Sequence, residues 1–347
     1  MSRRLRVLVL THEDLVPPDS LRGLSEKEAQ AVKKEFDVAS GLRELGHEVQ
    51  IVGVSHDLLP IRQHVDGFRP HVVFHLLMEF QDIAVYQAHV ASYLELLRVP
   101  YAGCNPRGLL LARDKALSKK ILRYHRIPAP SFHVFRLGRP VRVPRDLDFP
   151  RIVKSVDEEA SLGIAQASIV SDEEKLRERV DFVHRRLGTD AIAEQYIDGR
   201  ELTISVIGNE RLQTFPIWEL FFDKLPAGSR PIATARAKWD RDYQLRAGIG
   251  TGPAEDLPEG VAAHIAHIAK RSYRALHLSG YARLDLRLAE GGRAYVIEAN
   301  PNPDLRREED FAASAAAAGI SYPQLLQRIV NLGLRHRSPW KALEESG

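Results

Sequence analysis

Arg283, Asp285, Glu298 and Asn300 are the residues whose types and spacing could do chemistry in this chain. They sit in the stretch Tyr281 to Leu305, which reads YARLDLRLAEGGRAYVIEANPNPDL. Leu284, Leu286 and Leu288 alternate with Arg283, Asp285 and Arg287, the pattern of a strand with one wet face. Gly291-Gly292 suits a two-residue hairpin turn, after which Ala294 to Ala299 runs back as a second strand. With the two glycines at the centre of the bend, Glu290 faces Arg293, Asp285 faces Glu298 and Arg283 faces Asn300. The three leucines then share a core face with Tyr295, Ile297 and Ala299. A bend displaced by one residue would turn one of the two acids to the inner side of the sheet.

Directly opposed residues have Cβ atoms roughly 5 Å apart, and like charges so placed repel. Two carboxylates at that spacing, with the neutral oxygen of Asn300 beside them, call for a cation. An all-oxygen donor set without Cys or His suits a hard ion, Mg²⁺ or Mn²⁺. The alternative is a hairpin with a solvated charged face. On this pattern alone the two readings stand even.

The elements that must position these residues follow from the rest of the chain. Its 347 residues allow two or three subdomains. Hydrophobic residues make up 44% and charged residues 27%, values of an ordinary soluble globular protein. A formal net charge of +3 is not the footprint of a nucleic-acid binder, and the short Arg335-His336-Arg337 cluster does not change that. Cys104 is the only cysteine, so an intrachain disulfide and a Cys-based zinc site are excluded. In its Tyr-Ala-Gly-Cys-Asn setting it reads as a small residue rather than a nucleophile. Val7 to Leu10 is too short for a signal-peptide core and reads as a first strand. No stretch is long enough for a transmembrane helix, and a cytoplasmic protein is expected.

Leu5 to Thr11, Glu48 to Val54 and Pro70 to Leu77 read as strands. The helical patterns Ser25 to Leu45 and Ala84 to Arg98 lie between and after them, and Val99 to Ala102 starts a short strand. This alternation predicts a parallel, doubly wound sheet. No Gly-x-Gly-x-x-Gly follows the first strand, which argues against a dinucleotide site. Asn105-Pro106 marks a hinge. Beyond it, Leu109 to His125 is helical and carries Asp114-Lys115, and Arg151 to Ser155 is a strand carrying Lys154. Glu159 to Gly163 is a small-residue turn, followed by a strand from Ile164 to Ile169. A helix from Lys175 to Leu187 opens on a Ser171-Asp-Glu-Glu174 capping box. Two strands flank Asp198-Gly199, and helices span Glu259 to Leu276 and Tyr322 to Leu334. The expected units are residues 1–105, 106–193 and 194–347.

Lys115, Lys154 and Lys238 each read alone as surface lysines. Lys154, however, interrupts an apolar strand, and such a lysine either covers the surface or points its charge at a ligand. The turn that follows is small enough for backbone N–H groups to approach a phosphate.

Taken in order, Asp114-Lys115, Lys154, the small-residue loop, Glu194-Gln-Tyr-Ile-Asp-Gly-Arg-Glu201, Arg283-x-Asp285 and Glu298-Ala-Asn300 resemble the ATP-grasp superfamily. The branch most resembled is the D-alanine–D-alanine ligases, from about Val99 onward and again in Gly319-Ile-Ser-Tyr-Pro-Gln-Leu. The resemblance implies an α/β chain, α+β in its nucleotide-binding part: an ATP-grasp fold with an N-terminal doubly wound, Rossmann-like domain. It implies that Lys115 and Lys154 contact ATP phosphates, with Ser161 and Gly163 in a loop closing over them and Lys238 meeting them from the other side. Glu194, Tyr196 and Ile197 become nucleotide-binding positions, Glu194 bonding the base, and Glu201 binds the ribose. Asp285, Glu298 and Asn300 hold two Mg²⁺ ions, and Arg283 stabilises the anionic intermediate. Arg283, Lys238 and Ser161 form the implied catalytic set. The implied activity is ATP- and Mg²⁺-dependent joining of a carboxylate to an amine through an acyl phosphate, on small-molecule substrates, in a cytoplasmic protein that can form homodimers. Two other readings are an ATP-grasp phosphotransferase and a nucleotide-binding regulatory protein without turnover.

The chain departs from that branch where substrates bind. The region His75-Leu-Leu-Met-Glu-Phe-Gln-Asp-Ile-Ala84 lacks the family's glycines, and Thr11-His-Glu-Asp14 offers only Glu13. Asp304 stands where the family has Gly, with no Ser following, and Glu158-Glu159 places negative charge at the phosphate loop. The expectation is therefore a substrate other than D-alanine. Asp304, with Asp310, would recognise a cationic or amino group, or Asp304 would simply cap the helix after it.

Overall fold

The computed structural model describes residues 4–145, 147–157, 163–226, 228–234, 236–237 and 240–344. Ser161, Lys238, Glu158 and Glu159 lie outside the described residues. The described chain forms three sheets.

The first sheet is built from β1 (Arg6–His12), β2 (Glu48–Val54), β3 (Val72–His75) and β4 (Tyr101–Ala102), in the order β2-β1-β3-β4. All its pairings are parallel, which bears out the doubly wound reading. Val7, Val9, Val72 and Phe74 are fully buried on one face, and Leu8, Leu10 and Val73 on the other, so helices must cover both. The Ser25–Leu45 pattern resolves into two helices, Glu26–Ala31 and Lys33–Glu44, with Val32 between them at φ −104° and ψ 8°. The first opens on a Ser25–Glu28 capping box. The helix Tyr322–Arg335 folds back onto this sheet. Gly333 permits that approach, because a Cβ there would lie 2.4 Å from the Tyr101 carbonyl oxygen.

The second sheet holds β5 (Phe132–Phe135), β6 (Arg151–Ser155), β7 (Ile169–Val170) and β8 (Ala191–Gln195), antiparallel in the order β5-β8-β6-β7. Phe135, Val153, Val170, Ala191 and Ala193 pack one face against the helix Glu173–Leu187. That helix is capped by Asp172, which accepts from the Lys175 N–H at 2.9 Å, rather than by a capping box from Ser171. The opposite face presents Lys154 beside Ile192 and Ile152 beside Glu194. The helix Lys115–Tyr124 approaches that face through Ala116. The strand β8 runs across position 193/194.

The third sheet is six-stranded and antiparallel: β9 (Arg200–Ile207), β10 (Gln213–Thr214), β11 (Trp218–Phe222), β12 (Ile249–Pro253), β13 (Tyr281–Leu288) and β14 (Ala294–Pro301). Its order is β12-β11-β9-β13-β14, with β10 on β9. Leu284, Leu286 and Leu288 are buried against the helix Val261–Ala275, together with Leu202, Ile204 and Val206 of β9. The other face carries polar side chains in rows. Glu201, Thr203 and Ser205 of β9 lie opposite Arg287, Asp285 and Arg283 of β13.

The hairpin differs from the expected one at two places, and the differences cancel. Ala289 N–H donates to the Arg293 carbonyl at 2.9 Å, so the bend spans Glu290 to Gly292 rather than two residues. Gly291 and Gly292 both have positive φ, 86° and 81°. From the bend, Leu288 faces Ala294 and Leu286 faces Val296, one residue off the two-residue register. The register then shifts between Asp285 and Leu286, and Ile297 is the extra residue. Beyond it Asp285 faces Glu298 and Arg283 faces Asn300, as expected. The core-side partners are corrected accordingly: Ala294, Val296 and Ala299 are buried with the leucines, while Tyr295 and Ile297 are partly exposed.

Candidate active site

Three strands of the third sheet put the acids in place. Arg283, Asp285 and Arg287 project from β13 because the leucines between them must be buried. The Arg283 guanidinium is bidentate on Asp285, Nε to Oδ1 at 2.7 Å and a terminal nitrogen to Oδ2 at 3.0 Å. Burial would disfavour the Arg283 charge, but Asp285, Asp310 and Glu298 outweigh it and push the pKa further up. Asn300 Nδ2 donates to Asp285 Oδ2 at 3.1 Å. Two carboxylates and an amide on one face form a hard-oxygen donor set. Rotating the Asn300 amide brings its Oδ1 to the position of Nδ2, so these residues fit a divalent ion.

Glu201 is held by Arg287, whose terminal nitrogen lies 2.6 Å from Oε2. Arg287 also donates to the carbonyls of Gly199, at 3.0 Å, and Pro231, at 2.6 Å. Gly199 has φ +137°, and a Cβ there would lie 2.1 Å from the Leu288 carbonyl oxygen, so the turn into β9 requires glycine. Tyr196 and Ile197, 8% and 7% exposed, precede that turn. The Arg230 guanidinium stacks 4.9 Å from the Tyr196 ring centroid.

Across from these acids the second sheet and the helix Lys115–Tyr124 supply cations. Glu194, 1% exposed, lies between two ammonium groups: Lys154 Nζ is 2.9 Å from Oε2 and Lys119 Nζ is 3.1 Å from Oε1. Burial alone would raise the Glu194 pKa, but the two lysines prevail and hold it low. Burial opposes the charge of Lys154, yet Glu194, Glu298 and Glu201 together raise its pKa. Lys119 is buried so completely that desolvation prevails and its pKa is lowered. Lys119 also donates to the Ile297 carbonyl at 2.5 Å, which joins this cluster to β14.

Lys115 is buried, 5% exposed, at the first position of its helix, beside the Asp114 cap that accepts from Leu117 N–H. Gly163, at φ +71°, accepts at its carbonyl from Arg179. The structure thus gathers Asp285, Asn300 and Arg283 by direct bonds, sets Glu298 opposite Asp285, and joins Lys154 to Glu194. It pairs Glu201 with Arg287 and places Lys115 and Gly163 at the helix start and the loop's end. Lys119 and Arg287 were not singled out from the sequence. Lys119 stands one turn after Lys115 on the same helix face, a spacing that could have found it.

The residues expected to choose the substrate behave differently. Asp304 accepts from Arg306 twice, at the backbone N–H (2.9 Å) and at Nε (3.0 Å), and Arg306 reaches Glu309 at 2.6 Å. Asp304 therefore secures its own turn. It does not cap the next helix, Asp310–Ala317, whose cap residue is Glu309. Glu13 accepts from the Ser55 hydroxyl at 2.6 Å. His75 is fully buried at the end of β3, and desolvation lowers its pKa to about 4, so it is neutral. Cys104 is fully buried as well, and burial pushes its thiol up to about 12, which rules out a ready thiolate.

The family model for the C-terminal part of D-ala D-ala ligase matches residues 127–331. An uncharacterized protein, y4sG, of Sinorhizobium fredii is 31% identical over 306 residues, 86% of each chain. The D-alanine–D-alanine ligase of Desulfotalea psychrophila is 32% identical over 268 residues, 74% of this chain and 79% of its own. The structure of D-alanine–D-alanine ligase from Bacillus anthracis complexed with ATP superposes with a TM-score of 0.71 at 22% identity, covering 99% of this chain and 100% of that one. The superposition shows the ATP-grasp fold, and the family model with the relatives makes the chain an ATP-dependent ligase forming carbon–nitrogen bonds. The chain belongs to the D-alanine–D-alanine ligase family.

Proposed function

We propose that this protein joins a carboxylate to an amine at the expense of ATP and Mg²⁺, through an acyl phosphate, on a substrate pair other than two D-alanines. The observation that carries the reading is the opposition of Asp285 and Glu298 on one sheet, facing the Lys154–Glu194–Lys119 cluster on another. Cations on one wall and metal-binding oxygens on the other suit a triphosphate held between them.

In this reading Lys115 and Lys154 bind phosphate oxygens, with Ser161, Gly163 and Lys238 enclosing them. Glu194, Tyr196 and Ile197 line the base, and Glu201 takes the ribose. Asp285, Glu298 and Asn300 would hold two Mg²⁺ ions, whose chemistry when bound would be neutralisation of phosphate charge. Arg283, anchored by Asp285, presents a fixed positive charge to the oxyanion formed when the amine attacks. Units 1–105, 106–193 and 194–347 would supply substrate contacts, a lid and the metal site. The expected cytoplasmic location and homodimer belong to the same proposal; among the described residues no helix is long and apolar enough to cross a membrane. The different substrate is supported by the sequence departures, Asp304 where the family has Gly and the missing glycines between His75 and Ala84.

The test is release of ADP and phosphate against pooled carboxylates and pooled amines, with D-alanine run separately. The proposal expects release that needs both pools and little with D-alanine alone. ADP release without free phosphate, with one pool alone, supports a phosphotransferase instead, no release with either pool supports a nucleotide-binding protein without turnover, and brisk release with D-alanine contradicts the altered substrate.

A further inference from the structure

We infer that Lys119 is a positioning residue that locks the bulge of β14, keeping Glu298 opposite Asp285, and ties that lock to the lid sheet through Glu194. The inference rests on the proposed reading of Asp285 and Glu298 as a metal-binding pair.

The bend alone does not produce that pair. Its register sets Leu286 against Val296, and continuing it would set Asp285 against Ile297. Glu298 would then fall on the leucine side of the sheet, because successive side chains alternate faces. The pair exists only because β14 takes in one extra residue at Ile297. Bulges leave backbone groups outside the regular ladder, and such groups need other partners when buried.

Those partners are present. β14 is an edge strand, and on either side of the shift its backbone bonds to the segment that leads into the lid. Val296 N–H donates to the Pro128 carbonyl at 2.9 Å, and the Ile297 carbonyl accepts from Lys119 Nζ. Lys119 is 1% exposed, and the helix that carries it contributes Ala116 to the lid-side core. A buried ammonium persists only when oxygens surround it. Here the oxygens come from two different sheets, Glu194 of β8 and Ile297 of β14. The other oxygen of Glu194 holds Lys154, so one carboxylate sets both the lysine proposed for the phosphates and the lysine that secures the metal strand.

The experiment measures Mn²⁺ binding by electron paramagnetic resonance, and binding of a non-hydrolysable ATP analogue by calorimetry with and without metal. Parent protein, Lys119→Met, Lys119→Gln and Asp285→Asn are compared. Neither substitution at Lys119 can bridge Glu194 and Ile297. Both are expected to weaken Mn²⁺ binding at least ~10-fold while metal-free nucleotide binding changes less than ~3-fold, in line with the effect of residues that orient metal ligands. If either folded Lys119 variant binds Mn²⁺ as the parent does, the inference is overturned. Equal losses with and without metal overturn it as well, since they mark a merely structural lysine. Asp285→Asn separates the two levels: if it keeps parent-like Mn²⁺ binding, the metal-pair reading itself fails, whatever Lys119 does.

Discussion

Asp285 and Glu298 face each other across β13 and β14 because Ile297 is an extra residue between the bend and the pair. Arg283 anchors one acid and Lys119 secures the backbone next to the other, so the site is held from both sides.

Asp285→Asn and Glu298→Gln remove charge at the facing pair while keeping shape. Each is expected to lower kcat by about 100-fold or more at saturating Mg²⁺, the scale on which preorganised electrostatic groups act. ADP release measured beside circular dichroism checks this. A folded variant with parent-like turnover would contradict the assignment.

Glu194→Ala should be the most damaging single change in the second sheet, because it removes the carboxylate that contacts two buried lysines. Breaking a buried pair this way costs about 3–5 kcal/mol. Lys154→Met leaves the Glu194–Lys119 pair intact, so it should destabilise less while raising KM for ATP. Denaturant unfolding and ATP titration distinguish the two.

The same carboxylate shapes the acid limb of stability. Its folded pKa lies below the ordinary 4.5, so its contribution is present above that value and lost as pH falls through the lowered one. Glu194→Gln should start less stable at neutral pH and lose less than the parent on acidification below about 4.5. Melting curves through that range check it, and parallel curves would be contrary to expectation.

Cys104 should resist iodoacetamide at pH 8 in the folded protein and react once it is unfolded, because a buried thiol with a pKa near 12 supplies no thiolate. Mass spectrometry of the labelled protein gives the answer.

Asp304→Asn should leave amine selectivity within about 3-fold, because the Asp304 carboxylate is spent on Arg306. A changed amine preference would restore the alternative that this acid reads the substrate.

How much of this was legible beforehand depended on whether the cause was local. Alternation of Leu284, Leu286 and Leu288 with Arg283, Asp285 and Arg287 marks a half-buried strand with no knowledge of its neighbours, and the alternation of strands and helices marks the parallel sheet. The bulge is different. Nothing in Ala-Tyr-Val-Ile-Glu announces that Ile297 will slip from the ladder, since the slip depends on Pro128 and Lys119, far away in sequence. The spacing of Lys119 from Lys115 could be read locally, but its role could not, for the same reason: its partners come from two sheets. The strands Trp218–Phe222 and Ile249–Pro253 went unread because their pairing to each other and to β9 is set by the sheet and not by a local pattern.

The most direct test of the central claim uses a carboxylate pool labelled with heavy oxygen, incubated with ATP, Mg²⁺ and amines. An acyl phosphate breaks between carbon and the bridging oxygen, so each phosphate released should carry one labelled oxygen from the carboxylate. Phosphate released without label, while a carboxylate–amine product accumulates, would contradict the account.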